Sequence, residues 1–194
     1  MLFRSRLAAY IGFRAQCFAA APDDGASLAQ LLAMARHNAA SGVGATLAQR
    51  LDPWAGELAH LDRQVRRLRT DNRLHAWEWL RTSDGRLMKT DALDHHAAHD
   101  LVGCQDITWD IAGAGIEFGL AAAEQAQLCD AIECITRTAV DRRLLAFSQP
   151  CYAAFQFGYW SLAADALAGF PAEARRTRAA ADAYGRVLAR LIET

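Results

Sequence analysis

The sequence predicts a mainly α-helical protein carrying one short β-hairpin. Three observations point there. Apolar residues recur every three or four positions over most of the chain, the signature of helices with one buried stripe. The period changes only once, in "WEWLRTSDGRLMKTDAL" (77–93), where two short extended runs flank Asp84-Gly85. A hydrophobic content of 53% against 22% charged residues excludes wholesale disorder, and 194 residues suit a single domain spanning 1–194.

The elements follow in order. Residues 2–21 read as an amphipathic helix whose stripe is Leu7, Tyr10, Ile11, Phe13, Cys17 and Phe18. "PDDGAS" breaks it, and Ser27 is placed to cap a second helix bearing Leu28, Leu31, Leu32 and Met34, which ends at "SGVG". A third helix is predicted from about Pro53 through "LAHLDRQVRRLRT", with Leu58, Leu61, Val65 and Leu68 on one face and the arginines of 62–69 on a solvated one. The hairpin then carries Trp77, Trp79 and Leu80 before its turn and Leu87, Met88 and Leu93 after it. Helices are predicted over 106–125, 127–147, 150–168 and 171–193, and "PCYAAFQFGYWSLAADAL" is apolar enough all round to be central. The organisation is thus leading helices (1–70), a loop-hairpin-loop segment (71–105) and a helical bundle (106–194), with no repeat or low-complexity tract.

Composition narrows the partners. A net charge of −1 gives no reason to expect nucleic acid or an anionic membrane as partner. The opening "MLFRSRLAAYIGFRAQCFAAAPDD" mimics a signal peptide, but Arg14 and Gln16 interrupt its apolar run. The five cysteines form no CxxC pair, and an odd set reads as reduced, mostly buried thiols in a cytoplasmic setting. The basic residues are twenty Arg and a single Lys, Lys89.

The densest chemistry lies in "DALDHHAAHDLVGCQDITWDIAGA" (91–114), with five Asp and three His. A lone hairpin is marginal by itself and must lie on the helical body. Its flanking loops, "RTDNRLHAWE" and "DALDHHAAHD", then project from the same end, which is where a site is built.

Residues 71–114 resemble the C-terminal lobe of the protein-kinase-like small-molecule phosphotransferases, the aminoglycoside and choline kinase type. That family has an H-G-D-x-H-x-x-N loop, a short strand, a turn, a second strand ending in a metal-binding Asp, and a G-D-x-x-x-D-L-A helix start. Here "NRLHAWEWL" stands at the loop and first strand, "DGR" at the turn and "LMKTD" at the second strand. "GCQDITWDIAG" supplies the last motif, with the same four-residue spacing from Asp106 to Asp110. The match covers about a quarter of the chain. It implies phosphate transfer from ATP to the hydroxyl of a small-molecule acceptor, a reaction that needs cations on the developing phosphate charge and an acidic group to orient the acceptor. By resemblance Asp91 and Glu78 hold Mg²⁺, Glu78 replacing the family's Asn, while Asp106 and Asp110 are structural, with Asp110 capping or anchoring the next helix. Arg73 falls at the aligned catalytic position, which leaves Asp71 as the candidate base.

The same alignment exposes what is lacking. "SGVGAT" (41–46) has no preceding strand, and residues 1–70 contain no lysine to grip nucleotide phosphates. The chain therefore reads as a C-lobe alone: a truncated gene product, half of a split enzyme completed by a separate N-lobe-like chain, or a repurposed relic without activity. The alternatives are a non-catalytic helical scaffold or regulatory domain, and an HD-type metal-dependent phosphohydrolase built on His99-Asp100 with His95 or His96. Plainer readings stand beside these. His95 and His96 pair with Asp91 or Asp94 across a tight turn, His75 is a loop hydrogen-bonder, and Trp77, Trp79 and Trp109 pack. Glu117 and Glu124 have no histidine partner at metal-ligand spacing.

Overall fold

The computed structural model describes residues 2–91, 94–98 and 100–193. Its helices are α1 (Leu2–Cys17), α2 (Leu28–Gly42), α3 (Ala45–Ala48), α4 (Leu58–Leu61), α5 (Ile107–Glu117), α6 (Ala122–Thr136), α7 (Arg142–Ala166) and α8 (Pro171–Glu193). A 3₁₀ segment, Gln49–Gly56, precedes α4. The strands β1 (Trp79–Arg81) and β2 (Leu87–Lys89) pair antiparallel, with Trp79 opposite Lys89 and Leu80 opposite Met88. The class is the predicted one, mainly helical with a single hairpin among the described residues. No helix among them is long and apolar enough to cross a membrane.

The chain folds as two compact units, each made from two stretches of sequence. The first is Met1–Ala26 with Arg63–Ala146, the second Ser27–Asp62 with Phe147–Thr194. In the first, α1 packs on α5 and α6. Leu7 and Ile11 of α1, Trp109 and Ile111 of α5, and Leu128 and Ile132 of α6 are fully buried. Gly12 lets α1 approach closely, since a Cβ there would lie 2.8 Å from Ile135 Cγ2.

Two predicted helices are shorter than their apolar pattern. α1 stops at Cys17, and residues 53–70 are not one helix. The reason is a non-local ladder. Arg69 N–H donates to the Phe18 carbonyl at 2.9 Å and Ala20 N–H to that of Arg67 at 3.0 Å. Leu68 and Gln105 exchange both backbone bonds, at 2.9 and 3.1 Å. Residues 18–20 and 67–69 are held extended by these partners, which an i, i+3/i+4 pattern cannot register. The arginines of this stretch are consequently not a solvated helix face. Arg66 Nη2 donates to the Ala139 carbonyl and Arg67 Nη1 to that of Cys104, tying loops together.

Two glycine backbones cross beside the ladder. Gly25 has φ +83° and a Cβ there would lie 2.3 Å from the Cys104 carbonyl; Gly103 has φ +62° and its Cβ would lie 2.6 Å from Gly25 Cα. The left-handed conformation and the missing side chain are both required. Gln105 Nε2 completes the join, donating to the Ala26 and Val102 carbonyls.

In the second unit α2 packs on α3, α8 and the 3₁₀ segment. Ser27 caps α2 as predicted, in a capping box with Gln30. Asn38 Nδ2 donates to the Ala154 carbonyl at 2.9 Å, and Trp54 meets Phe147 edge to face. The helix break predicted before Pro150 falls instead at residues 137–141. Arg137 takes a left-handed conformation (φ +57°) after α6, and Asp141 Oδ1 accepts from the N–H groups of Arg143 and Leu144. α7 then continues through Pro150; its residues 151–154 are buried, but Tyr159 and Leu162 are 41% and 72% exposed, so the apolar stretch is buried at its start and not all round.

Candidate active site

Everything nominated at the hairpin lies in the first unit, and the hairpin's register explains how. Leu80 and Met88 face outward at 58% and 50% exposure. The neighbouring pair, Trp79 and Lys89, therefore points the other way, because successive residues alternate faces. Trp79 meets Tyr10 of α1 edge to face at 5.3 Å and Phe118 at 6.4 Å. Trp109 is buried, whereas Trp77 is 62% exposed and stacks on His75.

Asp71 is held from behind by Asp110. The two Asp110 oxygens accept the backbone N–H groups of Asp71 at 2.9 Å and Asn72 at 3.0 Å. Asn72 takes φ +64°, which an Asn tolerates, and its Nδ2 donates to the Gly103 carbonyl. The division of labour in "GCQDITWD" is thus sharper than the resemblance implied. Asp106 caps α5 by accepting from Thr108 N–H and also takes the Arg66 N–H. Asp110 anchors the loop bearing Asp71 rather than its own helix.

That anchoring sets the Asp71 carboxylate into a ring of donors. Tyr10 donates its hydroxyl to Oδ2. Oδ1 accepts from Arg73 N–H at 3.2 Å, contacts His95 Nδ1 at 3.1 Å, and lies 3.4 Å from Lys89 Nζ. Lys89 Nζ also meets Glu78 Oε2 at 2.6 Å and donates to the Asp91 carbonyl. The Asp91 carboxylate turns aside to His95 Nε2, 3.2 Å away. Asp71, Glu78 and Asp91 are therefore brought together, with Lys89 and His95 between them. The side chains of Lys89 and Asp71 are buried, that of Glu78 is nearly so, and that of Asp91 is open to solvent.

The electrostatics follow from these contacts. Burial alone would raise the Asp71 carboxyl, but the His95 hydrogen bond, the Lys89 charge, the Tyr10 hydroxyl and the Arg14 charge hold it below the ordinary carboxylate value. Its hydrogen bond to Asp71 raises His95 against an opposing burial effect, and Asp91 adds to the rise. Burial, with the Asp71 charge, pushes Asp110 up to about 6 in spite of its two backbone donors. Tyr10 is raised by burial and by the Asp71 charge.

Magnesium was expected on Asp91 and Glu78. The oxygens of Glu78 and Asp71 and the Asp91 carbonyl already face the Lys89 ammonium, and the Asp91 carboxylate faces His95. Among the described residues no three His, Cys, Asp or Glu side chains are grouped to hold a metal ion. As arranged, these residues do not fit a divalent cation.

The remaining candidates fall elsewhere. His75 Nδ1 pairs with Glu117 Oε2 at 3.1 Å, both side chains buried, a partnership across forty-two positions that no local spacing announces. Of the adjacent histidines, His95 pairs with Asp91, the plain reading for that residue. His96 is lowered by burial and by the nearby charges of Arg69 and Arg14. Asp100 Oδ1 accepts from Val102 N–H, while His99, the other half of the HD dipeptide, lies outside the described residues. A cavity of about 140 Å³, lined by Leu68, Asp106, Ile132 and Val140, shares no side chain with the Asp71 cluster. Sequence reasoning missed Tyr10, which α1 delivers from sixty-one positions away, and the central place of Lys89. The one available signal for Lys89 was its being the only ammonium in an arginine-rich chain. Comparison of the chain with protein-family models, curated proteins and solved structures finds no match.

Proposed function

We propose that this chain is the C-lobe of a kinase-like small-molecule phosphotransferase, which transfers phosphate from ATP to a hydroxyl only when a nucleotide-gripping lobe not contained in residues 1–194 is supplied. The observation that carries this reading is the Asp110 anchor. Two backbone N–H groups on one buried carboxylate fix the loop so that Asp71 is presented beside Glu78 and the end of β2. In this reading Asp71 orients the acceptor hydroxyl and takes its proton, the role for which a positioned carboxylate is suited. Residues 1–70 are helical and extended segments with neither a β-lobe nor a lysine, so the nucleotide must be held by other residues.

The alternative of a non-catalytic scaffold is favoured by a specific observation. The Asp71 side chain is fully buried and both its oxygens are engaged, so a substrate hydroxyl cannot reach it without rearrangement. The two readings separate in one assay. The chain is incubated with Mg²⁺-ATP and a panel of amino-sugar and amino-alcohol acceptors, alone and co-expressed with a chain bearing a Gly-rich loop and a phosphate-gripping lysine, and product is followed by ³¹P NMR. The phosphotransferase reading expects no product from the chain alone, product from the pair, and loss of that product in Asp71→Asn. Product from the chain alone, or from an Asp71→Asn pair at the wild-type rate, contradicts it.

A further inference from the structure

We infer that Lys89 is the resident cation of the Asp71–Glu78–Asp91 cluster: its ammonium stands in the place of a divalent metal, and the cluster binds none. Magnesium is the competitor that the phosphotransferase reading names, and the Lys89 contacts are independent of that reading.

Lys89 is delivered from β2 with no freedom to choose its face. The outward exposure of Leu80 and Met88 fixes the alternate pair, Trp79 and Lys89, inward. Once there, the lysine side chain is 2% exposed. A buried ammonium must satisfy three N–H donors, and three oxygens are offered: Glu78 Oε2 at 2.6 Å, the Asp91 carbonyl, and Asp71 Oδ1 at 3.4 Å. The chain's twenty arginines could not substitute, since a planar guanidinium projects its donors as a fork rather than as a tripod.

A magnesium ion binds oxygen at about 2.0–2.1 Å and demands near-octahedral geometry. It would have to lie among the same oxygens that the ammonium already fills, and two cations in so small and dry a space repel each other. Each carboxylate also has a partner without it. Asp71 and Glu78 face Lys89, and Asp71 and Asp91 face His95. The chemical difference between the two occupants is large. A metal ion keeps open positions for phosphate oxygens and acts as a Lewis acid, whereas an ammonium enclosed by these oxygens does neither. The cluster is thereby internally paired around one ammonium, and it locks the hairpin to the Asp71 loop.

Because Lys89 is the only lysine, its ammonium can be observed without assignment. The wild-type chain is grown with ¹⁵N,¹³C-lysine and its Nζ resonance is followed near neutral pH. The expected result is one cross-peak, visible because burial and hydrogen bonding slow its exchange, that neither shifts on adding Mg²⁺ nor bleaches with stoichiometric Mn²⁺. A resonance lost to rapid exchange, as for a solvent-facing lysine, overturns the inference. So does bleaching by Mn²⁺ that excess Mg²⁺ reverses, which would place a cation within the cluster. That second outcome leaves the phosphotransferase reading standing, while failure of phosphate transfer in the assembled protein leaves the Lys89 resonance unchanged.

Discussion

At the scale of single residues, the most consequential side chain is Asp110, a buried carboxylate whose two oxygens serve backbone rather than substrate. Asp110→Asn preserves shape but turns one oxygen into a donor that faces an N–H group. A buried donor left unsatisfied costs about 1–3 kcal/mol, which urea denaturation of the variant should show. The same substitution tests the pH dependence. Burial raises Asp110 from the ordinary 3.8 to about 6, so its contribution to stability is full below about 4 and is lost as pH rises through about 6. Asp71 runs the other way: its lowered value contributes stability above the usual carboxylate range, lost as pH falls through the folded value. The stability gap between wild type and Asp110→Asn should therefore narrow as pH rises from about 4 to 6, where the variant lacks the decline that Asp110 imposes. Asp71, Glu78 and Asp91 were legible as a group because their residue types and the hairpin's two ends place them together. Of their partners only His95 beside Asp91 was legible, since nothing in the local sequence links Tyr10 to Asp71.

At the scale of elements, the helices and the hairpin were legible wherever the determinants are local. Ser27 with Gln30 announces α2, and Asp84-Gly85 announces the hairpin turn. Residues 53–70 were misjudged because Leu58, Leu61, Val65 and Leu68 keep a helical spacing, while the backbone at 67–69 is claimed by Phe18, Ala20 and Gln105. The break placed at Pro150 was likewise a local inference, overridden by Asp141 capping a helix that runs through the proline. The Gly25–Gly103 crossing supports this ladder, and a pair of substitutions isolates its worth. Gly119 has a positive φ of +57° with nothing within 4 Å of its Cβ position, so Gly119→Ala carries only the left-handed conformational cost, about 1–2 kcal/mol. Gly103→Ala adds a contact of 2.6 Å to rigid backbone. Its loss of stability in urea should clearly exceed that of Gly119→Ala; equal losses would mean that the crossing yields without strain.

At the scale of the whole molecule, the chain's two compact units are each assembled from segments separated by long intervals of sequence. That interleaving explains why a linear reading finds elements more readily than their grouping. It also explains the site. α1 from the first stretch supplies Tyr10 and Arg14, the 3₁₀ turn before β1 supplies Glu78, β2 supplies Lys89, and α5 supplies Asp110, all within one unit. The account's central claim is that the acidic residues there are a single cluster organised by one ammonium. A double-mutant cycle of Lys89→Met and Glu78→Gln in urea measures it most directly. Lys89→Met leaves Glu78 nearly buried without its cation, and Glu78→Gln removes the nearest charge from a buried ammonium, so each should be destabilising and the double variant should recover part of the loss. A coupling of about 1–3 kcal/mol is the predicted result for such a buried, hydrogen-bonded pair. Additive losses would contradict it, because they would mean that Lys89 and Glu78 stabilise the fold independently.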